Sequence, residues 1–220
     1  MKSPTPHQLP DALSKLLPES TARGWLAIAP ALPNGAVLYG GTGITAHLLH
    51  RVSRDLDFFT SVAFDPGRLA KTLANIGSFV TTQIDGGTLN GIFEDTKVRF
   101  LDASGQMAFE RTATIGGISV AGMGDLWATN LKVIGNRGAL RDYFDIVAIE
   151  VAGRSVKEGL GIYRHRYGLE RADFAVTVPV RGLLYMGDVI DDPTLPMPRK
   201  AIEKYWNSRR KAILANLDRY

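Results

Sequence analysis

The chain contains no cysteine, which excludes disulfides, thiolate zinc sites and thiol nucleophiles together. Histidine is scarce too. His7, His47, His50 and His165 are the only four, and they show no metal-ligand spacing; His47 and His50, three apart on a short helix, are expected to pack or face solvent. No apolar run is long enough to span a bilayer. The first ten residues, MKSPTPHQLP, lack the apolar core of a signal peptide, so the expected compartment is the cytoplasm and no membrane partner is expected. Internal repeats and low-complexity tracts are missing as well.

What remains is the composition of a soluble globular protein. Over 220 residues, 45% are apolar and 22% charged, enough chain to bury a substantial core in one domain or one and a half. The net charge of +4 is lopsided. Residues 1–150 hold 13 Lys/Arg against 14 Asp/Glu, a balance of −1, and residues 151–220 hold 13 against 8, a balance of +5. A basic C-terminal third can mark a nucleic-acid surface, although charge alone favours a solvated helical surface.

Hydrophobic period and chain breakers set the expected element order. After a proline-rich arm, helices are expected over 11–17 and 21–29, with Pro18, Pro30 and Pro33 ending them. Asn34-Gly35 signals a turn into a strand over 36–39. Gly40-Gly41-Thr42 then reads as a tight turn, 44–50 as a short helix and 55–59 as a second strand. A helix over 68–77 follows, then three strands over 79–84, 88–93 and 97–101, with hairpin turns at Asp85-Gly86-Gly87 and Glu94-Asp95. A short strand is expected at 118–120. Helices are expected over 124–134, 139–151, 155–168, 178–187 and 198–217, with Gly135 to Gly138 as a break. The predicted class is α/β (α+β): a mixed β-sheet flanked by helices over 1–122, with the N-terminal helices, and a helical part over 123–220 that completes the site.

The stretch from Tyr39 to Thr60, YGGTGITAHLLHRVSRDLDFFT, carries the chemistry. On a strand, residues i and i+2 share a face, so Asp55 and Asp57 project together, roughly 6–7 Å apart. Two such carboxylates suit Mg²⁺, which takes carboxylate oxygens and substrate phosphates. Backbone N–H groups at the start of the helix offer a phosphate a seat. Phosphate seat and metal seat, a short helix apart, point to nucleotidyl transfer. A second polar cluster lies in residues 125–146, DLWATNLKVIGNRGALRDYFDI. Leu126, Leu131 and Ile134 can cover a core face, with Lys132 at its border. Arg141 and Asp145 stand at i and i+4, and Asp142 and Asp145 at i and i+3, as neighbours on one helical surface.

The first stretch resembles motif I of the DNA polymerase beta-like nucleotidyltransferase superfamily, a Gly-Gly/Ser turn followed by Asp-x-Asp. Gly40-Gly41-Thr42 with His50-Arg51-x-Ser53-x-Asp55-Leu56-Asp57-Phe58-Phe59 resembles the AbiEii/AbiGii toxin family more closely. The second stretch looks like the C-terminal motif of that family, through Asp125, Leu126, Lys132, Arg137, Arg141, Asp142 and Asp145. The resemblance implies a nucleotidyltransferase fold with Asp55 and Asp57 holding Mg²⁺, or Mn²⁺ in its place. It implies nucleotide contacts from Gly40, Gly41, Thr42, Arg51, Arg54, Lys132, Arg137, Arg141 and Asp142. It further implies that one of the aspartates of the second stretch supports Lys132 or the catalytic centre, and that Lys132 and Asp145 join Asp55 and Asp57 as catalytic residues. The implied substrates are an NTP and an RNA or tRNA acceptor hydroxyl, and the implied partner is an antitoxin.

One departure bears on turnover. Many members place a third carboxylate on a later strand, where this chain carries Arg99. Asp102 lies three residues on and faces the other way on a regular strand. Either a bulge turns Asp102 back towards the pair, or Arg99 lies over the site as a phosphate clamp. Two alternatives to an RNA nucleotidyltransferase stay open: a transferase acting on a small molecule such as an antibiotic, and a non-catalytic nucleotide- or RNA-binding module of the same fold.

Overall fold

Alternation of side chains builds the sheet that positions the site. The computed structural model describes residues 8–170 and 174–217, and of Arg137, Asn216 and Leu217 only the backbone. The chain divides into two compact units: Met1–Gln106 with Thr112–Ala121, and Met107–Arg111 with Gly122–Tyr220.

In the first unit, helices α1 (Asp11–Ser14) and α2 (Glu19–Ile28) precede β1 (Ala36–Tyr39), α3 (Gly40–Leu48), β2 (Leu56–Thr60) and α4 (Pro66–Ile76). Then come β3 (Phe79–Asp85), β4 (Thr88–Phe93), β5 (Thr96–Asp102), β6 (Ala113–Ile115) and β7 (Ile118–Val120). They form one mixed sheet in the order β3-β4-β5-β2-β1-β7-β6. The pairs β2–β5 and β1–β7 are parallel, and the other four are antiparallel. In β2, Leu56, Phe58 and Thr60 are buried while Asp57 and Phe59 are half-exposed, and in β5 Val98 and Phe100 are buried while Lys97, Arg99 and Leu101 are exposed. This is the pattern of a sheet with one packed face. Phe58 stacks on Phe100, ring centroids 5.0 Å apart, and α2 and α4 cover them with Trp25, Ile28, Leu69 and Leu73. Glu94 and Asp95 both take positive φ, 46° and 67°, the conformation that a two-residue hairpin turn demands.

The second unit is helical: α5 (Met123–Arg137), α6 (Leu140–Val151), α7 (Val156–Tyr167), α8 (Thr177–Leu184) and α9 (Arg199–Leu217). The expected break at 135–138 is a correction, because α5 runs through Gly135 and ends only at Gly138. Gly135 serves packing. A Cβ there would lie 2.9 Å from a Val178 methyl, and one at Gly182 would lie 2.7 Å from the Ile134 carbonyl oxygen. Both glycines let α5 and α8 approach closely. The Tyr143 hydroxyl donates to the Gly182 carbonyl at 3.2 Å. Burial, with Asp188 and Asp142 adding to it, pushes that phenol up to about 12.

Three further differences concern element ends. Gly40 to Thr42 form the first residues of α3 instead of a separate turn, β2 begins at Leu56 with Asp55 just ahead of it, and β6 is an additional strand. A three-residue strand carries too little pattern to stand out from its loop.

Candidate active site

Asp55 ends a loop that three threonines hold from below. The Thr21 hydroxyl donates to the Arg54 carbonyl at 3.0 Å, and Thr45 to the Arg51 carbonyl at 3.1 Å. Thr42 donates to the Asp55 carbonyl. Since the Thr42 proton is spent there, the Ser53 hydroxyl, 2.7 Å away, must donate to Thr42. Loop carbonyls that would otherwise need water are thereby satisfied inside the protein. The segment leading into β2 is fixed to α2 and α3, and Asp55 is fixed with it.

Register then brings the charged groups together. Asp57 pairs with Tyr39 on β1 and with Arg99 on β5, so all three side chains emerge on the outer face. Arg99 Nη1 donates to Asp57 Oδ1 at 3.3 Å. The other oxygen, Oδ2, lies against Gly40, where a Cβ would come within 2.6 Å of it. Gly40 also has φ of +65°, the left-handed region that side-chain-bearing residues avoid. Glycine is required here twice over. Among the described residues the Asp55 carboxylate has no hydrogen-bond or ion-pair partner. Helix α3 starts at Gly40 without a side-chain cap, so its first N–H groups keep their capacity for an acceptor. Tyr39 and Phe59 stack beside the pair, centroids 4.6 Å apart.

The question of the third carboxylate has a geometric answer. The β2–β5 register runs unbroken from Leu56↔Val98 to Thr60↔Asp102, so no bulge turns Asp102 towards the pair. Asp102 stays on the opposite face from Arg99, and its Oδ1 accepts from the Ser104 N–H at 2.9 Å. That hydrogen bond holds its carboxyl below the usual range. Arg99 occupies the position beside Asp57. Among the described residues no group of three or more His, Asp or Glu side chains is arranged to hold a metal ion. The donors available are the two carboxylates. As hard oxygen ligands they fit Mg²⁺, which fills its remaining positions with water and phosphate.

Several expected roles change. Thr42 is 1% exposed and its hydroxyl is engaged with Asp55 and Ser53, so the hydroxyl is not turned to a phosphate. Arg51 is 7% exposed, with Nη1 donating to the Val52 carbonyl; it belongs to the loop's interior, whereas Arg54 is exposed. Gly41 is half-buried in the first turn of α3. His47 Nε2 donates to the Ala121 carbonyl at 2.9 Å, a packing role.

In the second unit, Leu126, Leu131 and Ile134 are buried and Lys132 is exposed. The Lys132 ammonium sits 4.0 Å above the Tyr167 ring, a cation–π contact. Arg141 is exposed, yet Asp145 is fully buried, so the two do not share one solvated surface as their spacing suggests. Asp142 caps α6, its Oδ2 accepting from the Ala139 N–H at 2.8 Å. The Arg137 side chain lies outside the described residues. Asp125, 1% exposed, accepts from the Phe109 N–H at 3.0 Å, the Glu110 N–H at 2.8 Å and Arg166 Nη1 at 2.7 Å. It therefore ties residues 107–111 into the helical unit. Sequence reasoning missed Arg166 because 41 residues separate it from its partner, and nothing local marks it.

A mixed sheet and a glycine-opened helix beside the Asp57 carboxylate are features of a nucleotidyltransferase fold. Residues 26–133 match the family model of the nucleotidyl transferase AbiEii toxin, a type IV toxin–antitoxin system. The match covers just under half of the chain and marks a nucleotidyltransferase domain in that segment. No curated protein matches the chain. Among solved structures it is similar to a protein from H. pylori assigned as a nucleotidyltransferase, with 16% identity and a TM-score of 0.52 over 90% of this chain and 95% of that one. It is also similar to MenT4, a nucleotidyltransferase toxin from Mycobacterium tuberculosis, with 16% identity and a TM-score of 0.54 over 94% of this chain and 84% of that one. Both likenesses show the fold. Among the described residues no helix is long and apolar enough to cross a membrane.

Proposed function

We propose that the chain transfers a nucleoside monophosphate from an NTP to a hydroxyl of an RNA such as tRNA, with Mg²⁺ or Mn²⁺, as the toxin of a cytoplasmic toxin–antitoxin pair. The observation that carries the reading is the Asp57 carboxylate lying against the uncapped start of α3 and paired to Arg99, with Asp55 two residues before it. Asp55 and Asp57 would hold the metal, which when bound offsets the charge of the triphosphate. Gly40, Gly41 and the Thr42 backbone receive the outer phosphates at the helix start. Arg99 clamps the phosphate, since a guanidinium stays protonated at any working pH and can grip two oxygens. Arg54 and, by family resemblance, Lys132, Arg137 and Arg141 add positive charge.

The acceptor oxygen bonds to the α-phosphorus, the bond to pyrophosphate breaks, and the acceptor proton leaves. Asp55, without a partner among the described residues, is the base available for that proton. By family resemblance the buried Asp145 is a support for the lysine or the catalytic centre. Incubation with each labelled NTP, Mg²⁺ and total RNA tests the reading. Labelled RNA is expected with the parent protein and none with Asp55→Asn or Asp57→Asn, both still folded by circular dichroism. Wild-type labelling in both variants would overturn it, and label appearing only on an added small molecule would point to the antibiotic-type alternative.

A further inference from the structure

The outer face continues past the acidic pair to the sheet edge. Register aligns Asp57, Arg99, Asn90 and Gln83 in one row across β2, β5, β4 and β3. At about 4.8 Å per strand the row spans about 14 Å. Beside it Lys97, Ile92 and Val80 form a second row, and Phe59, Leu101, Thr88 and Asp85 a third. Lys97, Arg99, Gln83, Ile92 and Val80 are all exposed. Beyond Asp57, the first two rows hold two cations and no carboxylate; Asp85, at the far corner, accepts from the Gly86 N–H at 2.7 Å.

We infer that this face is the track along which a single-stranded RNA end reaches the acidic pair. The inference rests on the transfer reading above for its substrate and goes beyond it in assigning the surface. Charge complementarity names the occupant: Lys97 and Arg99 match a phosphate backbone. The amides name its form. Asn90 Nδ2 donates to Gln83 Oε1 at 2.7 Å, which orients both groups and leaves one amide N–H of Asn90, its carbonyl and the Gln83 amide N–H groups to face outward. Such groups pair with base edges. In an RNA duplex the major groove is too deep and narrow for side chains to read, so edges are available chiefly in unpaired RNA. The apolar side chains of Val80, Ile92 and Leu101 flank the amides and give base faces a dry contact.

The test uses the full chain and a fluorescein-labelled twelve-nucleotide RNA, read by anisotropy without NTP. Lys97→Glu is expected to raise the Kd about tenfold, and Lys97→Ala to lower the slope of log K against log salt by about 0.7. The pair Asn90→Ala/Gln83→Ala should weaken binding at every salt concentration without changing that slope. NTP affinity should stay within twofold of the parent in all three. Unchanged RNA affinity in the variants, equal affinity for the same sequence as a duplex, or no binding by the parent protein would each overturn the track. If Lys97→Glu fails to fold, the amide pair carries the test. Binding that depends on the track without any labelling would leave the track standing and remove the transfer reading. Labelling of RNA with an unchanged KM in every variant would do the reverse.

Discussion

Gly40→Ala separates folding from chemistry at one position. An added Cβ would sit 2.6 Å from Asp57 Oδ2, while ordinary contact begins at 3.4 Å, so the carboxylate must retreat by about 0.8 Å. The Asp57 backbone cannot follow, because β1 pairs with it on one side and β5 on the other. The side chain must rotate instead, away from Gly40 and out of line with Asp55. A misplacement near 1 Å in a catalytic group costs about 10²-fold in rate. The backbone penalty is separate: holding alanine at φ of +65° costs about 1–2 kcal/mol.

Gly40→Ala should therefore fold, lose about 1–2 kcal/mol in urea melts, and release pyrophosphate about 10²-fold more slowly. Gly86→Ala is the control, since a Cβ there meets nothing within 4 Å; it should match the parent in turnover. Turnover within threefold of the parent for Gly40→Ala, with the stability loss observed, would refute the claim that Asp57 must lie against the helix start.

Three further outcomes follow from the same contacts. Thr42→Val leaves the Asp55 carbonyl without its donor and should cost about 1–3 kcal/mol, with a larger fall in turnover than in NTP affinity because the loop before Asp55 loosens. Arg166→Met removes the cation from the buried Asp125 carboxylate and should destabilise the helical unit by about 3–5 kcal/mol, read as an early-melting phase in circular dichroism. The Tyr143 phenol, raised to about 12, stays neutral in the fold where the unfolded chain ionises near 10. Its contribution is present below pH 10 and fades as pH rises to 12, so urea melts at pH 9 and 11 should differ less in Tyr143→Phe than in the parent.

Local rules carried the sequence reading wherever pattern and contact coincide. The alternation of Leu56, Asp57, Phe58 and Phe59 announces a half-exposed strand and places Asp57 outward without knowledge of any neighbour. Glu94-Asp95 and Asp85-Gly86-Gly87 are equally local. What stayed hidden depends on distant partners. Thr42 reads as a phosphate ligand until Asp55 and Ser53 close over its hydroxyl. Gly135 reads as a breaker until α8 arrives against it. Arg51 and Arg54 look alike in sequence, and only the loop's path buries one and exposes the other. The row from Asp57 to Gln83 joins four strands, and no window along the chain contains it.

Arg99 changes what the acidic pair can do on its own. Three carboxylates at one site would concentrate negative charge and attract a divalent cation before any nucleotide arrived. Two carboxylates with a guanidinium leave a net single negative charge, so in the proposed transfer scheme the nucleotide's own phosphates would supply much of the attraction for a divalent cation. The Asp57–Arg99 contact is 3.3 Å long with the arginine side chain 52% exposed, and an ion pair of that kind contributes at most about 1 kcal/mol. In that scheme, exchanging Asp57 for a phosphate oxygen would cost the arginine little and would free the Asp57 carboxylate for the cation. In the transfer scheme, pairing in the absence of substrate keeps both groups oriented on the outer face, and the arriving triphosphate separates them.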